Sequence, residues 1–152
     1  MALDIYTFDD DTSNFVVHSK NGLLTNPVQT THDGTNGEIV EKKLFLRNDD
    51  SNFFYSNLLL QPLPRTKTAV GDINFPEAFV TFKIIVQNEQ PTENQWKSVA
   101  SGSEVSFADI GATGSGDISY KPFWIFTSIP AGTRVGNISD VFIQLEGEEN
   151  PV

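Results

Sequence analysis

Short apolar runs alternate with polar turn residues along most of the chain, which is the pattern of an all-β protein. Residues 78–88 read AFVTFKIIVQN, and the residues of one parity are all apolar: Val80, Phe82, Ile84 and Val86. This predicts a strand with that face in the core. Residues 38–48, EIVEKKLFLRN, also alternate, although Lys42 interrupts the apolar face and Phe45 lies among charged residues on the other.

Further runs fit strands at residues 53–63, 103–111, 120–130 and 139–147. Residues 91–101 predict one helical turn, because Thr92 can cap it with Gln95 three positions later. So many short strands favour an antiparallel β-sandwich, Ig-like or jelly-roll-like, over a closed barrel, since the loops at 64–77 and 108–119 are long and irregular. The glycine-rich loop 109–117 is expected to be flexible and to order against a neighbouring molecule.

The first 37 residues differ in character, with two short strand patterns at 4–8 and 14–19 and a polar, turn-rich segment at 30–38. They predict an N-terminal arm ahead of a sandwich domain of residues 38–152. Such an arm either packs on its own domain or reaches across to a neighbouring subunit. In the second case the segment FVVHS, residues 15–19, would add a strand to the neighbour's sheet. Deleting residues 1–36 would then leave a folded sandwich that no longer assembles.

Length and charge narrow the class of protein. A chain of 152 residues fits one domain with a sizeable core. The net charge of −10 disfavours nucleic acid and anionic membranes as partners. The sequence has no cysteine, which excludes disulfides and thiol chemistry. No signal peptide or membrane-spanning run is evident, so we expect a soluble protein.

Candidate chemistry is sparse. His18 and His32 are too far apart in sequence to indicate a metal site, and GATGSGD, residues 111–117, lacks the lysine of a phosphate-binding loop. No nucleophile, base or acid pair stands out, so we expect no enzyme, no cofactor and no resident metal. A calcium site outside the EF-hand pattern stays open on the loop carboxylates Asp9, Asp11, Asp49 and Asp50.

The aromatic residues are the main candidates for binding. In the run 120–130, Phe123, Ile125, Thr127 and Ile129 share one face, whereas Trp124, Phe126 and Ser128 share the other. Because both faces are bulky, we expect the core on one side and a loop, an arm or another subunit on the other. A sugar-stacking platform is the alternative. The interface candidates are Phe15, Val16, Val17, Trp96, Tyr120, Trp124 and Phe126.

Three motifs carry a resemblance to a known class: LFLRND at Leu44–Asp49, PTENQW at Pro91–Trp96, and PFWIFTSIPAGT at Pro122–Thr133. In this order they resemble small virion structural proteins of tailed bacteriophages, over about residues 37–147. The resemblance implies a sandwich that coats a head or builds part of a tail.

That class implies a capsid decoration or cement protein, bound to the head surface through subunit contacts. The expected partners are other virion proteins, the major capsid protein first, and copies of the chain itself. The protein would be made in the host cytoplasm and reside in the virion. A tail or baseplate component and a carbohydrate-binding module for host attachment are the alternatives.

Overall fold

The computed structural model describes residues 3–9, 14–20, 30–32, 38–64, 81–114, 119–129, 136–138 and 141–152. The strands in these ranges are β1 (Leu3–Asp9), β2 (Asn14–Lys20), β3 (Thr30–His32), β4 (Glu38–Asn48), β5 (Phe53–Pro64), β6 (Thr81–Ile85), β7 (Val105–Phe107), β8 (Tyr120–Ile129), β9 (Gly136–Ile138) and β10 (Val141–Pro151). A single short helix, α1 (Glu93–Lys97), lies between β6 and β7 in this part of the chain.

The strands form two main sheets, and every strand pair is antiparallel. The five-stranded sheet has the order β2-β1-β4-β8-β6, and the three-stranded sheet has the order β10-β5-β7. A separate pair joins β3 to β9, so His32, expected in a loop, ends a short strand. The predicted all-β antiparallel sandwich is confirmed.

The core lies between the inner faces of the two sheets. The predicted apolar face of β6 contributes Phe82 and Ile84, both buried, and β8 contributes Phe123 and Ile125. Phe107 of β7 meets Phe123 of β8 edge to face, with ring centroids 5.7 Å apart, and so joins the two sheets. The alternation seen in the sequence therefore selects the correct faces within both strands, whereas Val86, also predicted for the core face, lies beyond the end of β6 and is 36% exposed.

Residues 3–9 and 14–20 are an integral part of the larger sheet. Strand β1 pairs with β4 from Leu3 opposite Asn48 to Tyr6 opposite Phe45, and β2 pairs with the other edge of β1. Leu3 and Ile5 are fully buried in the core cluster. The sequence left open whether the first 37 residues pack on their own domain or reach across to a neighbouring subunit. Strands β1 and β2 pack on their own domain. A domain boundary at residue 37 would therefore separate β1 from β4, its partner in the sheet.

A β-bulge shifts the faces of β5. Glu146 is opposite Leu59 and Glu148 is opposite Ser56, so Asn57 and Leu58 together face the single residue Gly147. Asn57 takes a left-handed backbone conformation, with φ of 51°. The extra residue brings Tyr55 and Leu58 to the same buried face, which simple alternation would not allow.

The loop that follows β7 is packed against its own chain. Ile110 exchanges two backbone hydrogen bonds with Tyr55 of β5, at 2.9 and 3.0 Å, and Ile110 and Ala112 are buried. Residues 110–113 of the loop that was expected to be flexible are therefore packed against the chain, because the side chains of Ile110 and Ala112 are buried. Residues 115–118 lie outside the described ranges.

Candidate binding face

The outer face of the five-stranded sheet carries a group of aromatic rings. On β1 and β4 the residues that alternate with the buried Ile5 and Leu46 point away from the core, and several of them are rings. We call this group the ring cluster: it comprises Tyr6, Phe8, Phe15, Phe45 and Tyr120, contributed by β1, β2, β4 and β8. Phe8 and Tyr120 are 41% and 42% exposed.

Phe15 of β2 lies at the centre of the ring cluster. Its ring centroid is 5.0 Å from that of Tyr120, 5.2 Å from Phe45 and 5.3 Å from Phe8. The angles between neighbouring ring planes run from 55° to 81°. Edge-to-face contacts of this kind stabilise a cluster beyond the burial of apolar area alone, by about 0.5–1.5 kcal/mol for each pair.

Two cations border the ring cluster. The guanidinium carbon of Arg47 is 5.2 Å from the ring centroids of both Tyr6 and Phe15, and the Nζ of Lys43 is 5.4 Å from that of Phe45. Arg47 also approaches the carboxylate of Asp49 at 3.6 Å. The face therefore combines rings and cations, although the whole chain is acidic.

Tyr6 is the most buried ring of the cluster, with 5% of its surface exposed. Burial raises the pKa of its hydroxyl above the ordinary value of 10.0, and the nearby carboxylates of Asp4 and Asp49 raise it further. Arg47 opposes this shift through its charge and a hydrogen bond. The phenol is thus held in its neutral form.

At the other end of the same face, the segment around α1 covers the rings of β8. Thr92 and Gln95 form a capping box that fixes the first turn of the helix, as predicted from their spacing. Trp96, 4% exposed, lies against Phe126 with ring centroids 5.1 Å apart. Its indole Nε1 donates to the carboxylate of Glu41.

Lysine side chains bind this cover to the sheet. Lys83 of β6 donates from Nζ to the backbone oxygen of Trp96 at 2.9 Å, and Lys43 of β4 donates to the side-chain oxygen of Asn88 at 2.7 Å. The indole Nε1 of Trp124 donates to the backbone oxygen of Asn88 at 3.2 Å. A recess of about 310 Å³ remains between the helix and β4, with Lys83 and Phe126 in its wall. The Nζ of Lys83 in this wall is already engaged by the backbone oxygen of Trp96.

The structure thus divides the predicted interface residues into distinct groups. Phe15 and Tyr120 belong to the ring cluster. Trp96 of α1 packs against Phe126, and Trp124 donates to Asn88 in the segment before α1. Residues Val16 and Val17 pair with Thr7 and Tyr6 of β1, but their side chains lie outside the description.

Sequence reasoning did not choose Tyr6, Phe8, Phe45 or Arg47 as site residues. Phe45 gave a usable signal, because it is the single ring on the charged face of its strand. Tyr6 and Phe8 are two residues apart in the run 4–8, which likewise indicates that rings share one face of a strand. Their convergence depends on the pairing of β1 with β4, which no local pattern specifies.

Among the described residues, no three carboxylate or imidazole side chains converge as a metal site would require. The helix in this part of the chain is too short to cross a membrane. The calcium alternative through Asp9 and Asp11 falls at least partly outside the described residues. Comparisons with known protein families, curated proteins and solved structures find no match.

Proposed function

We propose that this protein is a structural component of a bacteriophage virion, placed on the head as a decoration or cement protein, and that it binds through the ring cluster. The virion setting rests on the resemblance of residues 37–147 to small virion proteins. The contact surface rests on one observation: the outer face of a sheet exposes rings that its own chain leaves partly uncovered.

The composition of the face supports a protein partner. Tyrosine, phenylalanine and arginine are enriched in the buried centres of protein–protein interfaces. Here Phe8, Tyr120 and Arg47 lie within one face, and the rings are already held by their neighbours. Rings that are already held in place lose little conformational entropy on binding. When many copies bind one particle, each contact needs only a modest affinity.

The arrangement of the rings favours a protein over a glycan. Sugar rings stack on flat, exposed aromatic faces, whereas the rings of this cluster stand at 55° to 81° to one another. Both tryptophans, which would be the strongest stacking residues, are engaged elsewhere: Trp96 is buried and Trp124 is bonded to Asn88. The ring cluster itself therefore offers a glycan no tryptophan to stack on.

The proposal is tested by co-sedimentation of purified protein with virus particles that lack it. We expect the double variant Phe8→Ser with Tyr120→Ser to lose at least about tenfold in affinity, because two interface rings are removed. The matched control is Ile39→Ser, which changes a more exposed apolar side chain, at 63%, at the other end of β4. The control should bind like the wild type.

Three outcomes would contradict parts of this proposal. Equal binding by the double variant and the wild type would remove the ring cluster from the contact. Binding to a glycan array that the double variant loses would favour the carbohydrate-binding module. Immunogold labelling of the tail rather than the head would move the protein to a tail or baseplate role.

A further inference from the structure

Strands β1 and β4 separate before either of them ends. The last pair between them is Tyr6 opposite Phe45, although β1 continues to Asp9 and β4 begins at Glu38. Beyond that pair the strands leave a cavity of about 380 Å³, which we call the notch, and its wall is formed by Thr7, Phe8, Lys42, Lys43 and Phe45. A cavity of this size is within the range of small-ligand sites.

Lys42, the residue that interrupts the apolar face of β4, reaches the notch from the core side of the sheet. It lies opposite Ile125 of β8, which is fully buried. Because an unpaired buried charge is costly, a lysine on this face must carry its ammonium group out to a polar site or to water. Lys42 is half-buried and makes no hydrogen bond or ion pair with another described residue. It therefore brings an uncompensated positive charge to the notch.

Lys43 supplies a second positive charge from the outer side of the sheet. Its Nζ donates to Oδ1 of Asn88 at 2.7 Å, but an amide oxygen carries no full charge, and an ammonium group has three hydrogens to donate. The carboxylate of the neighbouring Glu41 is engaged by the indole of Trp96. Among its described wall residues the notch therefore has two cations and no carboxylate.

We propose that the notch binds an organic carboxylate, with Lys42 and Lys43 at its charged end and Phe8 and Phe45 against its apolar body. Lysine ammonium groups pair with carboxylates as point charges, and the two rings supply an apolar wall. A bare phosphate fits less well, because ring carbons offer no hydrogen bonds to its oxygens. The inference does not depend on the virion role, since it rests on the side chains of the notch alone.

The notch adjoins the ring cluster, because Phe8 and Phe45 belong to both. The carboxylate therefore has two possible sources. It is either a free organic acid or an acidic side chain of a protein that covers the ring cluster. Both sources present the same chemistry to the two lysines, and they are distinguished by experiment.

Titration of the purified protein with sodium phenylacetate, followed by NMR, tests the site without any virus particle. A probe of about ten heavy atoms should bind with a dissociation constant of about 1–10 mM and shift the amide signals of Thr7, Phe8, Lys42 and Lys43. Phenylacetamide, which lacks the charge, and acetate, which lacks the ring, should each bind at least about fivefold more weakly. Equal binding of phenylacetamide, tighter binding of inorganic phosphate, or no saturable shift at these residues would overturn the inference.

Substitutions at Lys42 locate the site. Lys42→Met keeps an apolar stem on an apolar face, so it should fold, and it should weaken phenylacetate binding by about fivefold or more. Lys42→Arg keeps the charge and should bind within about twofold of the wild type. The matched control is Lys121→Met, the same change on the same side of the sheet, opposite Leu46. Wild-type affinity in Lys42→Met, or an equal loss in Lys121→Met, would contradict the assignment.

Co-sedimentation of Lys42→Met with virus particles then identifies the source of the carboxylate. Weaker binding than the wild type assigns it to a protein of the particle, whereas unchanged binding by a variant that has lost phenylacetate assigns it to a free acid. Failure of the ring cluster to bind particles would leave the titration with phenylacetate unaffected. The two proposals therefore fail in different experiments.

Discussion

Nδ2 of Asn48 donates a hydrogen bond of 3.1 Å to the backbone oxygen of Gly111, which joins the end of β4 to a loop 63 residues further along the chain. Its second Nδ2 hydrogen goes to the oxygen of Phe53 at 2.9 Å, and its Oδ1 accepts from the N–H of Asp50. Asn48 is fully buried. One carboxamide therefore shapes the corner at which the chain leaves the larger sheet for the smaller one.

Replacing Asn48 by alanine should destabilise the fold by about 2–4 kcal/mol, because three backbone groups around it lose their partner in a buried site. Urea denaturation followed by fluorescence would measure this loss. The control is Asn52→Ala, an exposed asparagine in the same turn, which should change stability by about 0.5 kcal/mol or less. Equal effects of the two substitutions would show that the carboxamide does not support the corner.

The burial of Ile5 predicts that the N-terminal strand is required for folding. Ile5→Ala should cost about 3 kcal/mol, as for other large-to-small changes in a core, whereas Phe8→Ala on the outer face of the same strand should cost about 1 kcal/mol. Thermal or urea unfolding would compare them. Deletion of residues 1–36 should unfold the sandwich, the opposite of the expectation from sequence. A detachable arm would instead leave all three proteins as stable as the parent.

Tyr6 predicts a loss of stability in alkali. Its pKa is raised in the folded state, so above the ordinary value of 10.0 the unfolded chain releases this proton more readily than the folded one. The stabilisation is complete below pH 10 and falls as the pH rises through the folded pKa. Tyr6→Phe should lose less stability than the wild type between pH 9 and 11, measured by urea denaturation. Parallel curves for the two proteins would contradict the assignment.

The bulge at Asn57 predicts a difference between two substitutions that remove the same side-chain contact. Both Asn57→Gly and Asn57→Ala lose the exposed bond from Nδ2 to Glu148. Only the alanine variant must hold a Cβ at a φ of 51°. Its free energy of unfolding should therefore be lower than that of the glycine variant by about 1 kcal/mol. Denaturation midpoints of the pair would decide this. A more stable alanine variant would mean that β5 has no left-handed residue there.

Local signals in the sequence were enough to find most of the described strands and the helical turn. Alternation identified the buried face of β6, and the Thr92 and Gln95 spacing located α1. Residues 78–80 of one predicted run, and Pro130 of another, lie outside the described part of the chain. These elements were predictable because each depends on residues within a few positions of one another.

The remaining features depend on partners far away in the chain. Nothing in the run 4–8 specifies that β1 pairs with β4, and so the ring cluster could not be assembled from sequence. The glycines of the loop 109–114 suggested flexibility, although Ile110 pairs with Tyr55. The bulge at Asn57 became visible only in the register between β5 and β10. Asn48 looks like an ordinary polar strand end until its distant acceptors are known.

The pairing of β5 with β10 also bears on how the chain folds during synthesis. Strand β5 ends at residue 64, yet the strand that completes its longer edge begins at residue 141. While the ribosome makes the intervening residues, the apolar run FFYSNLLL has no partner on that side. The smaller sheet can therefore close only after residues 141–151 have emerged, and assembly dominated by such distant pairings is expected to be slow.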